Sequence, residues 1–139
     1  MSDVPSHVKK SIRSALILAG VQIAGALLLT LANKLGWIDS ETTTRGVMVL
    51  IGVMLVVVGN GMPKQQEGPP SQTVGHAIAR QSITRVGGWA MMLGGLVWIG
   101  LWAFAPRDIA QVGSIAAVVA AVLVMVAYTT WRFRRSSAS

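Results

Sequence analysis

Asp39 and Glu41, two residues apart, and the histidines His7 and His76 are the residues of this 139-residue chain best suited to bind a metal or move protons. Two carboxylates without a third ligand hold a cation weakly. Asp39 or Ser40 is therefore expected to cap a helix, with Glu41 near its positive end. Each histidine stands alone in a polar flanking segment, where solvation is the expected state. The chain has no cysteine, which removes thiol nucleophiles, iron–sulfur ligation and thiolate zinc sites. The polar residues inside otherwise apolar stretches are Gln22, Thr30, Asn60, Gln111, Ser114 and Thr129, none of them ionisable. Proton-coupled export of cations needs an embedded carboxylate, and proteolysis within the bilayer needs a Ser/His or Asp/Asp pair. With neither present, the chain is expected to be no enzyme and to carry no cofactor or metal.

The composition says what surrounds these residues. Apolar residues make up 53% of the chain, charged residues 12%, and mean hydropathy is +0.59, whereas soluble domains carry about a quarter charged residues. Four windows without a charge stand out, at 14–33, 46–62, 86–105 and 109–131. A helix needs roughly 20 apolar residues to cross the hydrocarbon core; the second window is at the short end of that range. Helices of a soluble bundle would each show a polar stripe, and none does. The reading is all-α: a polytopic membrane protein forming one domain over 1–139, a four-helix transmembrane bundle. The first window resembles a signal peptide at Ala24-Gly25-Ala26, but its apolar run continues through Leu31, so it is expected to be retained.

Basic residues set the expected orientation. Lys9, Lys10 and Arg13 before the first span, Lys64, Arg80 and Arg85 in the loop 63–85, and Arg132, Arg134 and Arg135 in the tail make nine on one side. Lys34, Arg45 and Arg107 make three on the other. Basic loops stay cytoplasmic, so both termini are expected there, in a bacterial inner membrane. The same asymmetry accounts for the pI near 11.3 through topology and anionic-lipid contact, and no nucleic-acid partner is expected. Trp37, Trp89, Trp102, Tyr128 and Trp131 are placed as interfacial anchors, and Pro63 and Pro106 as helix stops.

Connections and packing follow. Pro106-Arg107-Asp108 is short enough to force the third and fourth helices into a hairpin, with Asp108 expected to cap the fourth. In the loop 63–85, PKQQEGPPSQ is expected to be irregular. TVGHAIARQSITR, like residues 6–14, is expected to be a short interfacial helix beside its span. Lipid gives no hydrophobic drive for helix association, so small residues must permit close approach. Gly87, Gly94 and Gly95 on the third span and Gly113, Ala117 and Ala121 on the fourth supply such faces, and Gly20, Ala24, Gly52 and Gly59 offer others. Helix surface left facing lipid makes a homo-oligomer or a larger membrane complex an expected partner state beside membrane lipids.

The stretch Val57-Val58-Gly59-Asn60-Gly61-Met62-Pro63-Lys64 resembles the G-N-x-M-P-K signature of the SdpI-like family, multipass bacterial membrane proteins named for an immunity protein against a secreted killing peptide. Thr84-Arg85-Val86-Gly87-Gly88-Trp89 resembles the family's H-R-x-x-G-W region, with Thr84 where that pattern has His. The family's N-x-x-x-G-x-R-T-P-W segment is replaced by PKQQEGPPSQ. The resemblance covers about 45 central residues and implies Asn60, Pro63, Lys64, Arg85 and Trp89 as an interaction motif at the cytoplasmic interface. The expected function is a non-enzymatic one of protein or lipid interaction: an SdpI-like binder, immunity factor or accessory subunit. The alternative is an oligomeric transporter or channel for a neutral or hydrophobic solute, built around Gln22, Asn60 and Gln111.

Overall fold

The computed structural model describes residues 6–62 and 74–138. It contains four helices, α1 (Ser6–Lys34), α2 (Ser40–Gly61), α3 (Val74–Phe104) and α4 (Arg107–Ser137), each long and apolar enough to cross a membrane. The chain is a polytopic all-α membrane protein. Its backbone contacts group into two compact units, Met1–Ile51 and Gly52–Ser139, with the boundary inside α2.

The helices outrun the apolar windows, because helix propensity continues where hydropathy stops. Residues 6–14 form the first turns of α1 and are no separate interfacial helix. The segment from Val74 is likewise the start of α3. No proline interrupts it after Val74, and Thr84 donates its hydroxyl to the Arg80 carbonyl at 2.9 Å, so its polar groups are satisfied within the helix. Arg80 and Arg85 therefore stand on a helix, not in a loop. PKQQEGPPSQ lies outside the described residues.

In the first unit, α1 ends on Gly36 at φ +77°, a left-handed conformation that favours glycine. The Gly36 amide donates to Asn33 and the Trp37 amide to Ala32, both at 3.0 Å, a Schellman arrangement that satisfies the last carbonyls. The Asn33 side chain donates to the Ile38 carbonyl at 3.0 Å and closes the turn. Asp39 then caps α2, its Oδ1 accepting from the Thr42 amide at 2.8 Å. Glu41 pairs with Arg45 at 3.0 Å, one turn on. Both carboxylates are thus engaged in starting a helix. On the facing surfaces of α1 and the first part of α2, Gly25 packs against Leu50 and Gly46 against Leu29. Gly20, by contrast, has open space around it.

Hydrogen bonding from the Thr42 side chain, then from its amide, holds the Asp39 carboxyl below its ordinary value of 3.8. A folded-state pKa below the unfolded one contributes stability at higher pH, lost as pH falls through the lowered value. Protection of the Thr42 amide against hydrogen exchange, relative to its intrinsic rate at each pH, is accordingly expected to hold at neutral pH and to be lost only below about pH 4, near the unperturbed carboxylate pKa. In Asp39→Ala that protection should be absent throughout. Identical acid profiles for the two proteins would remove Asp39 as the cap.

In the second unit, α3 and α4 are an antiparallel pair around Pro106. Asp108 does not cap α4. The helix begins at Arg107, its capping residue is Pro106 at φ −55° and ψ 150°, and no side chain caps it. Proline suits this place because a helix start leaves its amides unpaired in any case. Asp108 sits in the first turn, where its charge complements the helix dipole. Trp102 is no interfacial anchor either: it is 4% exposed, at the hairpin end where Ala110 and Ser114 are also buried. Trp37, Trp89 and Trp131 remain largely exposed. The other buried residues of this unit are glycines: Gly52, Gly59, Gly87, Gly88 and Gly95. Large apolar side chains point outward, among them Leu96, Val112, Leu123 and Val126, the reverse of a water-soluble core and the arrangement suited to lipid.

Candidate interaction site

Glycines determine how the helices of the second unit approach. A methyl group on Gly59 of α2 would lie 2.7 Å from the Met92 amide nitrogen and 2.8 Å from the Gly88 carbonyl oxygen of α3. The backbones touch here, and only a residue without Cβ fits. The second contact is between Gly52 and Gly95, where a Cβ on either would lie 3.0–3.3 Å from the other's carbonyl oxygen. Gly95 therefore packs on α2, not on α4, because it stands one residue round the helix from Gly94.

The α3–α4 seam uses the other small residues. Gly94 faces Ala121, with Ala117 close behind; Gly87 faces Met125; and Gly113 faces Leu101. The seam ends in a side-chain bond, Ser82 to Tyr128, with the hydroxyl oxygens 2.5 Å apart. Tyr128 packs on Trp131 with ring centroids 5.9 Å apart, and the Arg135 guanidinium lies 4.5 Å from the Trp131 ring centroid. Tyr128→Phe is expected to lower stability by about 0.6 kcal/mol, the usual worth of an interhelical hydrogen bond in a membrane protein. Unfolding of the purified variant in detergent checks it; no loss would show that water serves these hydroxyls equally well.

The Gly59–Gly88 crossing places the two sequence segments singled out above side by side. Asn60, exposed, follows Gly59, and Trp89, 54% exposed, follows Gly88. Arg85 is exposed one turn before Trp89 on α3. Pro63 and Lys64 lie outside the described residues. No family model, no curated protein and no solved structure matches this chain. Its own geometry therefore carries the functional reading.

Thr30 donates to the Ala26 carbonyl, Ser114 to Gln111 and Thr129 to Met125, each within its own helix. Gln111 lies near Gly113, which meets Leu101, whereas Asn60 lies near Gly88. These two points are separated by roughly 20 Å along α3 at ~1.5 Å per residue. Among the described residues no group of three metal-ligating side chains occurs.

Sequence reasoning named the small-residue faces and paired the third helix with the fourth, but it assigned Gly95 to that seam and did not name the α2–α3 crossing. It missed Gly25 and Gly46 as contact points and did not single out Ser82 or Arg132. A serine on α3 carries no local signal of a long-range contact, and an arginine in a basic tail none of burial.

Proposed function

We propose that the chain is a membrane interaction protein of SdpI-like type, which recognises a protein or peptide partner at the membrane surface through Asn60, Arg85 and Trp89. The backbone crossing of Gly59 on Gly88 supports this reading above all. It joins two segments, distant in sequence, that each resemble an SdpI-like motif. An exposed amide, guanidinium and indole then lie within about one turn of the crossing, and Tyr, Trp and Arg are the residues that most often anchor interfaces. On this reading both termini and this end of the helices face the cytoplasm of a bacterial inner membrane, because basic segments favour that side and nine of the twelve Lys and Arg residues fall to it by sequence.

Photo-crosslinking side chains placed at Asn60 and Trp89 in native membranes test it. Both positions are expected to capture one common partner, and Phe104, which is 91% exposed at the C-terminal end of α3, is not. Asn60→Ala should abolish the adduct at Trp89 without changing thermal stability. Identical adducts from all three positions, or a deletion strain with unaltered sensitivity to secreted peptides, would refute the reading.

A further inference from the structure

The seam of α3 and α4 opens into a groove of about 60 Å³ lined by Gly87, Met91, Gly94, Ala121, Val122 and Met125 among others, nearly all of its surface apolar. Such a groove at hydrocarbon depth is suited to a chain of methylenes. The residues beyond it toward the helix ends are different in kind. Arg132 stands two turns beyond Met125 on the same face of α4, and Arg80 two turns before Gly87 on the groove face of α3. Arg132 is half-buried, and its Nε is shut off from solvent with no hydrogen-bond acceptor among the described residues. The one carboxylate on α3 and α4 is Asp108, at the far end of α4. A guanidinium half-withdrawn from water, with no counter-charge on either helix, is favourable where an anion arrives from outside. Guanidinium also matches phosphate in shape, through paired N–H donors.

We propose that this end of the hairpin is a binding site for an anionic phospholipid. Its phosphate sits at Arg132 and one acyl chain lies in the Gly87–Gly94–Ala121–Met125 groove. Charge complementarity selects the occupant, since an apolar helix would fill the groove but leave the arginine unmatched, and a zwitterionic lipid carries its own cation. The Ser82–Tyr128 bond and the Tyr128–Trp131–Arg135 stack hold the two helices at the groove mouth. The site stands independently of the partner-binding reading at Asn60 and Trp89.

Native mass spectrometry of the intact chain, released from detergent after equilibration with dioleoyl phosphatidylglycerol or dioleoyl phosphatidylcholine, reads the site directly. The wild-type chain is expected to retain one phosphatidylglycerol in preference to phosphatidylcholine. Arg132→Gln should weaken that retention about tenfold, as loss of a charge-assisted pair does, while Arg134→Gln, exposed and removing the same charge, should leave it within about twofold. Ala90→Leu, which fills the groove wall, should weaken phosphatidylglycerol retention with Arg132 intact. Equal retention of the two lipids by the wild-type chain overturns the proposal without any variant. Equal losses in Arg132→Gln and Arg134→Gln also overturn it, because they mean diffuse attraction. Unchanged retention in Ala90→Leu overturns the acyl-chain assignment. Should Arg132→Gln fail to fold, Arg132→Lys keeps the charge but loses the planar donors, and an intermediate loss is then required.

Discussion

Gly59→Ala is expected to destabilise the second unit by about 3 kcal/mol, at the upper end of what overpacking costs, while Gly94→Ala changes it by less than about 1 kcal/mol. The substitutions are chemically identical, and inside a helix alanine alone is worth about 0.5–1 kcal/mol over glycine. The difference lies in what the new methyl meets. At Gly59 it lies 2.7 Å from a backbone nitrogen and 2.8 Å from a backbone oxygen of α3, well inside contact distance. Neither atom can rotate away, so α2 and α3 must separate, and the packing around Gly52 and Gly95 separates with them. At Gly94 the methyl lies 3.5 Å from the Ala121 Cβ and 3.8 Å from the Ala117 carbonyl oxygen, an ordinary contact. Reversible unfolding in detergent micelles measures both. Equal effects would mean that the α2–α3 crossing is not as close as described. Gly59→Ala should also abolish partner capture at Trp89, because it breaks the crossing that brings Asn60 near α3.

Gly94→Leu is expected to cost about 2 kcal/mol and to loosen the hairpin. Beyond the Cβ that Ala121 accommodates, three further carbons must enter the groove or force α4 outward, and the Ser82–Tyr128 bond at the end of the seam is strained with them. Gly20→Leu, on α1, is the matching control. Nothing lies within 4 Å of its added Cβ, so the new side chain enters lipid and stability should stay within about 0.5 kcal/mol of the parent. In sequence, Gly20 with Ala24 and Gly94 with its neighbours make the same small-residue pattern. Thermal transitions of the two leucine variants therefore test whether contact, or composition alone, gives these glycines their role. Equal transitions would exclude Gly94 from the α3–α4 interface.

Much of the architecture was legible without coordinates, for one physical reason. A segment that must sit in hydrocarbon can carry almost no charge and must satisfy its own backbone, so the four helices announce themselves by composition. The cap at Asp39 was legible on the same kind of local evidence, an acidic residue before a helix with Thr42 three places on. Where local rules ran out, so did the reading. Asp108 has the identity of a cap but enters the helix after Arg107. Trp102 has the position of an interfacial anchor but is buried. The residues before the first and third spans read as separate interfacial helices, yet from Ser6 and from Val74 they belong to the adjoining helix, since a helix already nucleated extends readily into water.

Residue sequence alone therefore determined that the chain spans a membrane with four helices, which residues are small enough for close approach, and where charge gathers. Those properties belong to single residues and their near neighbours. Only tertiary structure decided that Gly59 meets Gly88, that Gly95 turns to α2 while Gly94 turns to α4, and that Arg132 lies beyond a groove with its Nε buried and unpaired among the described residues. Each of these depends on rotation about a helix axis, where one residue is a swing of about 100°, and neighbouring glycines that look alike in sequence end on different partners.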